Sequence, residues 1–436
     1  MNANVDIVAA ALERARQLSA EGRGEEALPE YNRVLAALPE HAEALLFLGS
    51  REMALGRPQT AIEYLQRAAQ SSPDEAQVHL TLGSAYLAAR RLEEARTTLA
   101  RCLELAPRAY VARLQYAIAL EQSGDTKTAL PNFFGAIMQA QEQGRWMSDA
   151  STAPMLRAQV KHAMRVTYEG RKRLFEALLA PYVQRHGEAE MARVAKCLKI
   201  YLGEIPPNYP DPRQIPKFLY FPDLPAATYF DRKLFAWYEI LESQWTDVRD
   251  EMKSVLHEPD ALAPFLGEHP PEAMKSYLGG IENPVWDAYF FYRHGDRFDA
   301  HHTRCPRTSA ALESLPTLVR IRDHAPEVCY SVLTPGTHIL KHRGVTNTRL
   351  VTHLPLVIPE NCAINVGGEE KVWREGEVFS FDDTYEHEAW NRSDKTRVVM
   401  LMDVWNPYMT AAECEAVTGL IEGIGDFNEV AGIDRD

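Results

Sequence analysis

Residues 42–74, AEALLFLGSREMALGRPQTAIEYLQRAAQSSPD, and residues 76–107, AQVHLTLGSAYLAARRLEEARTTLARCLELAP, are two versions of one pattern. At an offset of 34, Gly49 falls on Gly83. Ala27, Ala61, Ala95 and Ala129 form a second series at that interval, and Pro39, Pro73 and Pro107 a third. Both stretches carry apolar residues at helical spacing, and each reads as two helices closed by a proline. Three independent position classes keeping one period predict stacked helical hairpins, each burying its apolar face against the next.

A 34-residue period with a small residue at the helix crossing, an Ala in the second helix and a Pro after it is that of the tetratricopeptide repeat. A weaker copy precedes the two quoted stretches and another follows through RLQYAIALEQSGDTKTALPNFFGAI, making about four repeats and a repeat domain over residues 1–141. From 142 to 215 the period lapses while helical patterning persists, which predicts a helical connector. It ends in GEIPPNYPDPRQIP (203–216), whose five prolines stop helix formation. Beyond it comes one helical stretch, DRKLFAWYEILESQWTDVRDEMKSVL (231–256), then short strand-like runs: VCYSVL, TRLVTHLPLVI, CAINVG, GEVFSF and TRVVMLMDVW. Strands in succession without intervening helices predict an antiparallel sandwich or barrel over 216–415, such as a jelly roll. The closing residues 416–436 read as a loose acidic tail. The expected class is multidomain α + β, an N-terminal α-helical solenoid followed by a β-domain.

Composition limits the function. Sixty-one acidic against 47 basic residues give a formal charge of −14, the wrong sign for a nucleic-acid partner or an acidic membrane surface. No signal-like N-terminal run and no span of about 18 apolar residues is present, so a soluble, cytoplasmic protein is expected. The six cysteines are scattered without a C-x-x-C pair, which predicts buried thiols rather than disulfides or structural zinc.

Chemistry concentrates among the strands. In FDDTYEHEAW (381–390), His387 stands between two glutamates and shortly after two aspartates, open to reading as a solvated turn, an acid/base cluster or part of a metal site. His342 in ILKHRGVTN lies at a strand end, His353 lies within a strand, and Arg397 begins the last strong strand. Singly, each His reads as structure. Two His brought together from separated strands, with an Arg after the second, suit a non-haem iron site that binds a dicarboxylate co-substrate. His338 has the wrong spacing to share a strand-end site with His342, His301 and His302 in DAHHTRCP read as a polar loop, and Glu386 and Glu388 read as solvated. No P-loop, nucleophile elbow or dinucleotide fingerprint occurs.

Residues 216–410 resemble the aspartyl/asparaginyl β-hydroxylase family of Fe(II)/2-oxoglutarate-dependent oxygenases. The likeness runs in order through KFLYFPDLP, CPRTSAALESLP, SVLTPGTHILKHRGVTNTRLVTHLPLVIP, VWREGEVFSFDDTYEHEAWN and RVVMLMDVWNP. It implies a double-stranded β-helix fold. By resemblance His342 and His387 would be the iron ligands, Arg397 would pair with the 2-oxoglutarate carboxylate, and Ser331 and His353 would supply further co-substrate contacts. The wider superfamily places a carboxylate ligand two residues after the first His, where this chain has Gly344, a trait the hydroxylase family shares. The resemblance therefore implies two-His iron, and Asp383, four residues before His387, is the candidate to hydrogen-bond a water in the vacant place.

One departure is particular to this chain: the family pattern has Arg where Val351 stands. Arg349, two residues earlier on the same strand face, could substitute from the same side. The resemblance implies hydroxylation at the β-carbon of an Asp or Asn residue in a peptide or protein. The repeats would present a groove for substrate or partner. Two other readings are carried forward: a catalytically inactive tetratricopeptide adaptor with a ligand-binding barrel, and an oxygenase acting on a small-molecule or carrier-tethered amino acid.

Overall fold

The computed structural model describes residues 2–258, 261–267, 274–280 and 284–433. It divides into two compact units, residues 1–173 with 426–436 and residues 174–425. This division falls within a helix, not at the proline-rich stretch, because the helical connector is shared between the two units rather than standing apart as 142–215.

In the first unit eight helices form four hairpins: α1 (Asn2–Ala20), α2 (Gly24–Ala37), α3 (Ala42–Ala54), α4 (Pro58–Ser71), α5 (Ala76–Ala88), α6 (Leu92–Leu105), α7 (Tyr110–Gln122) and α8 (Thr126–Glu142). The periodic residues hold the crossings. A Cβ built on Gly49 would lie 2.4 Å from Leu65 Cγ, and one on Gly83 would lie 2.5 Å from Leu99 Cγ. Leu65 and Leu99 are one period apart, so each hairpin seats a leucine on the bare backbone of its partner helix. Ala27, Ala61, Ala95 and Ala129 are all buried. Pro39, Pro73 and Pro107 end the hairpins and leave carbonyls free to accept from Arg67, His79 and Arg113. A long helix, α9 (Arg157–His186), follows.

The second unit contains α10 (Ala192–Tyr201), α11 (Tyr238–Ser243), α12 (Trp245–Val255), α13 (Asp299–Arg304), α14 (Pro306–Glu313) and α15 (Ala411–Ala431). Its strands are β1 (Ala263–Pro264), β2 (Leu278–Gly280), β3 (Trp286–Arg293), β4 (Asp296–Arg297), β5 (Val328–Leu333), β6 (Thr337–His342), β7 (Arg349–Val357), β8 (Cys362–Val366), β9 (Glu369–Val372), β10 (Phe379–Phe381), β11 (His387–Asn391) and β12 (Arg397–Trp405). They build two antiparallel sheets, ordered β1-β3-β5-β12-β7-β10 with β4 beside β3, and β2-β6-β11-β8-β9.

Both faces of the first sheet are buried, which is why β12 reads as a near-continuous apolar run. Tyr330, Val332, Leu354, Leu356, Val398, Met400 and Met402 pack with α11, α12 and α14 through Tyr238, Val248, Met252 and Leu312. The alternate residues Cys329, Leu333, Val351, Val399 and Leu401 pack against Ile339, Ile364, Val366 and Ala389 of the second sheet. The period-2 alternation sorts one strand into two cores.

Three expectations change. Residues 416–436 are not a loose tail: α15 runs to Ala431 and buries Ala416, Val417, Leu420, Ile421 and Ile424, while 434–436 lie outside the described residues. Its glycines, misread as loosening, let helices approach, since a Cβ on Gly423 would lie 2.3 Å from Leu178 of α9. The helical stretch 231–256 is two helices meeting at Gln244. His301 and His302 sit on α13 rather than in a loop, with His302 buried between Ser309 Oγ and the Phe291 carbonyl. All six cysteines are free and five are buried. No helix among the described residues is long and apolar enough to cross a membrane.

Candidate functional site

Between the two sheets lies a cavity of about 180 Å³, and every residue singled out from the strands lines it: Ser331, His342, Arg349, His353, Asp383, His387 and Arg397. Strand order explains the convergence. β12 lies between β5 and β7, so Arg397, Ser331 and His353 come from three neighbouring strands, while β6 and β11 bring His342 and His387 from the opposite sheet.

His342 and His387 are direct partners across the β6–β11 ladder, with ring centroids 4.0 Å apart. Each Nδ1 is spent on a backbone carbonyl two residues earlier in the chain, His342 on Leu340 at 2.8 Å and His387 on Tyr385 at 3.0 Å. A carbonyl accepts only, so Nδ1 must carry the proton and Nε2 is left as a lone-pair donor on both rings. Burial lowers both pKa values, with the neighbouring ring adding to the effect on His387, which falls to about 3. Both imidazoles are therefore neutral at physiological pH, the state that binds a metal.

Asp383 reaches the same place from the turn before β11. Its carboxyl lies where a side chain on Gly344 would begin. Its Oδ1 is buried without a hydrogen-bond partner. Burial raises its pKa to about 7, against the opposing pull of the Arg349 charge. Among the described residues no group of three His, Cys, Asp or Glu is arranged to hold a metal; the chain offers two imidazoles and an adjacent carboxyl group.

Opposite them, Arg397 is 1% exposed and has no carboxylate partner. Nη1 donates to the Ser331 carbonyl at 3.1 Å and to Ser331 Oγ at 3.3 Å, Nε has no partner, and the guanidinium lies 5.0 Å from the Trp373 ring centre. Burial pushes its pKa down to about 10, so it remains a cation. Ser331 Oγ also accepts from Trp286 Nε1 at 2.9 Å, which leaves its own hydroxyl proton to donate. Trp373 Nε1 donates to His353 Nδ1 at 3.1 Å, fixing the proton on His353 Nε2. Arginine, serine hydroxyl and imidazole N–H thus present three donors in one cavity with no anion to receive them.

Arg349 shares the cavity face with Val351, as strand spacing predicts. It is not a free cation, however, because Nη1 donates to Asp403 Oδ2 at 2.5 Å. Other expectations separate from the site: His338 pairs with Glu388 at 2.9 Å, so Glu388 is partnered rather than solvated, and Glu386 is exposed beside Lys341. Sequence reasoning missed Asp403, Trp286 and Trp373. Asp403 had a legible signal, a lone acid inside the apolar run VVMLMDVW; the two tryptophans did not, since their roles arise from which ring nitrogen they reach.

Residues 242–407 match the family described as aspartyl/asparaginyl beta-hydroxylase, and residues 12–76 and 52–118 match tetratricopeptide repeats. Aspartate beta-hydroxylase domain-containing protein 2 of Mus musculus is 31% identical over 257 residues, 57% of this chain and 71% of that protein. Aspartyl/asparaginyl beta-hydroxylase of Homo sapiens is 36% identical over 171 residues, 39% of this chain and 21% of that protein. Ornithine lipid ester-linked acyl 2-hydroxylase of Rhizobium tropici is 32% identical over 187 residues, 42% of this chain and 62% of that protein. Against the Xenopus tropicalis counterpart of the mouse protein the chain spans 64% of the length, so several relatives extend well beyond what it matches. With its strand order, paired histidines and buried arginine set beside these likenesses, the chain belongs to the aspartyl/asparaginyl β-hydroxylase family, carried behind tetratricopeptide repeats.

Proposed function

We propose that the chain is an Fe(II)- and 2-oxoglutarate-dependent dioxygenase that hydroxylates the β-carbon of an Asp or Asn residue in a peptide or protein. The observation that carries this reading is Arg397. A fully buried guanidinium without a counter-ion costs several kcal/mol unless an anion joins it. The Ser331 hydroxyl and His353 Nε2 flank it with two more donors, a set suited to the distal carboxylate of a dicarboxylic acid.

The donor set also fits iron: two neutral imidazoles with unoccupied Nε2 atoms, and Asp383 Oδ1 as an acceptor for a water beside them. His342 and His387 would hold the metal. Bound there with 2-oxoglutarate, Fe(II) supplies the oxidant that inserts one oxygen atom into a C–H bond while the co-substrate leaves as succinate and carbon dioxide. The chain's own work is positioning. The carbonyls of Leu340 and Tyr385 lock both imidazoles in one tautomer, Trp373 and Trp286 aim His353 and Ser331, and the apolar walls Ile339, Ile364, Phe381 and Leu401 exclude water.

The tetratricopeptide hairpins are the natural recruiter of a peptide or protein, and six free thiols suit a reducing compartment such as the cytoplasm. The name of the Rhizobium relative favours, as a second reading, a carrier-tethered or lipid-linked small molecule in the same cavity. The test is succinate formation by the full chain with Fe(II), ascorbate and 2-oxoglutarate. Turnover lost in Arg397→Gln supports the reading. Absence of both co-substrate binding and metal uptake would sink it in favour of an inactive adaptor.

A further inference from the structure

One end of the cavity decides which substrate group the site accepts, and the inference drawn from it rests on the oxygenase reading above. Apart from Arg397, Arg349 is the only Lys or Arg among the described residues lining the cavity, where Glu327, Asp383 and Asp403 supply three carboxyl groups. Arg349 is already engaged by Asp403, which stands directly across the β7–β12 ladder from Val351. Asp403 Oδ2 also accepts from the Glu327 backbone N–H at 2.8 Å. Glu327 is in turn met by His294 Nδ1 at 3.0 Å. Lys217 is exposed and does not line the cavity.

Every cation at this end is therefore matched, and an incoming carboxylate would find no unpaired charge. What remains is a buried Arg349 Nε–H without an acceptor, and Asp403 Oδ1, which receives none of the bonds made to Oδ2. A carboxylate could meet only the first of these, and would add an anion beside Asp383 and Asp403. A carboxamide meets both, its oxygen accepting from Arg349 and its nitrogen donating to Asp403.

We infer that the reacting residue of the substrate carries an uncharged carboxamide, as asparagine does, and that the cavity discriminates against the corresponding carboxylate. Val351 contributes by leaving Arg349 with Asp403 as its partner and adding no second cation.

Two synthetic peptide pools with identical randomised flanks, one with a central Asn and one with a central Asp, test this. They are passed over the immobilised full chain charged with Mn(II) and 2-oxoglutarate, and retained peptide is counted by mass spectrometry. The Asn pool is expected to be retained about tenfold or more over the Asp pool, since like charges set together in a buried site discriminate at least that strongly. Val351→Arg is expected to pull the ratio toward Asp. Equal retention by the unaltered chain, including retention of neither pool, or preference for Asp overturns the inference. Co-substrate binding, followed beforehand by tryptophan fluorescence without peptide, separates the two levels. If 2-oxoglutarate fails to bind, the oxygenase reading falls and this inference with it; if it binds and no Asn preference appears, only the carboxamide inference falls.

Discussion

The carboxyl group of Asp383 fills the space in which a side chain on residue 344 would begin: a Cβ built on Gly344 would lie 2.1 Å from Asp383 Cγ. The two positions are also tied through the backbone, Gly344 N–H donating to the Asp383 carbonyl at 2.6 Å. One residue's carboxyl thus stands where the other's side chain is missing.

Gly344→Asp should therefore destabilise the protein by about 3 kcal/mol or more, as overpacking of a buried site does, instead of simply adding a metal ligand. Removing the obstruction in Gly344→Asp/Asp383→Ala should recover much of that loss. Denaturant unfolding of the two single variants and the double variant measures the coupling, and additive effects would refute the shared space.

Replacing either imidazole should weaken divalent metal binding by roughly a hundredfold or more, since even supporting partners of a ligand are worth 10–100-fold. Titration of His342→Ala and His387→Ala with Mn(II), followed by calorimetry, checks this. His338→Ala, which loses only a surface pair with Glu388, should bind the metal like the unaltered chain.

Arg397 sets stability against binding. Arg397→Met should raise the stability of the ligand-free protein by about 1–3 kcal/mol, because an unmatched buried charge is replaced by an apolar chain of similar length. The same change should abolish the 2-oxoglutarate-dependent change in tryptophan fluorescence, Trp373 lying beneath the guanidinium. A destabilised Arg397→Met with co-substrate binding intact would contradict the assignment.

In the repeats, Gly83→Val should clash with Leu99 and cost about 1–3 kcal/mol or more, with Gly49→Val matching it through Leu65. Thermal unfolding followed at 222 nm, a wavelength that reports helix (roughly; the cooperative loss is what matters), reads both. Ser50→Val, one residue on at an exposed position, should have little effect.

Acid should loosen the second unit through His302. Burial lowers its pKa, with Arg297 adding to the effect. The unfolded chain thus binds a proton more readily than the folded one, and stability is lost as pH falls through about 6.5, the unfolded value. His302→Gln, which can keep one partner without titrating, should show a shallower fall in denaturant midpoint between pH 7.5 and 5.5. An unchanged slope would show that His302 does not contribute.

What could be read from the chain alone was whatever repeats or alternates along it. The 34-residue period marks the hairpins because each must present the same glycine and alanine to its neighbour, and VCYSVL is β5 to the residue. The iron-type pair, the buried Arg, Ser331 and His353 were nameable through resemblance. The short strands β6 and β11 escaped, since His342 and His387 lie at strand ends among turn residues and their partner is 45 positions away. The α15 helix escaped because its glycines signal both loops and close helix contacts, and only the presence of Leu178 and Tyr182 settles which.

By itself the sequence determined the order of the architecture, a helical repeat array and then a β-domain, and the residue types available for chemistry. Only the tertiary structure decided how those residues are spent. Arg349 shares a strand face with Val351, as a two-residue spacing requires, yet its charge is taken by Asp403 from the next strand. Asp383 finds its space from the absence of a side chain 39 positions earlier. Hydrogen bonds and ion pairs are settled by distances of about 3 Å between atoms, and a sequence fixes such distances only after the sheets have closed.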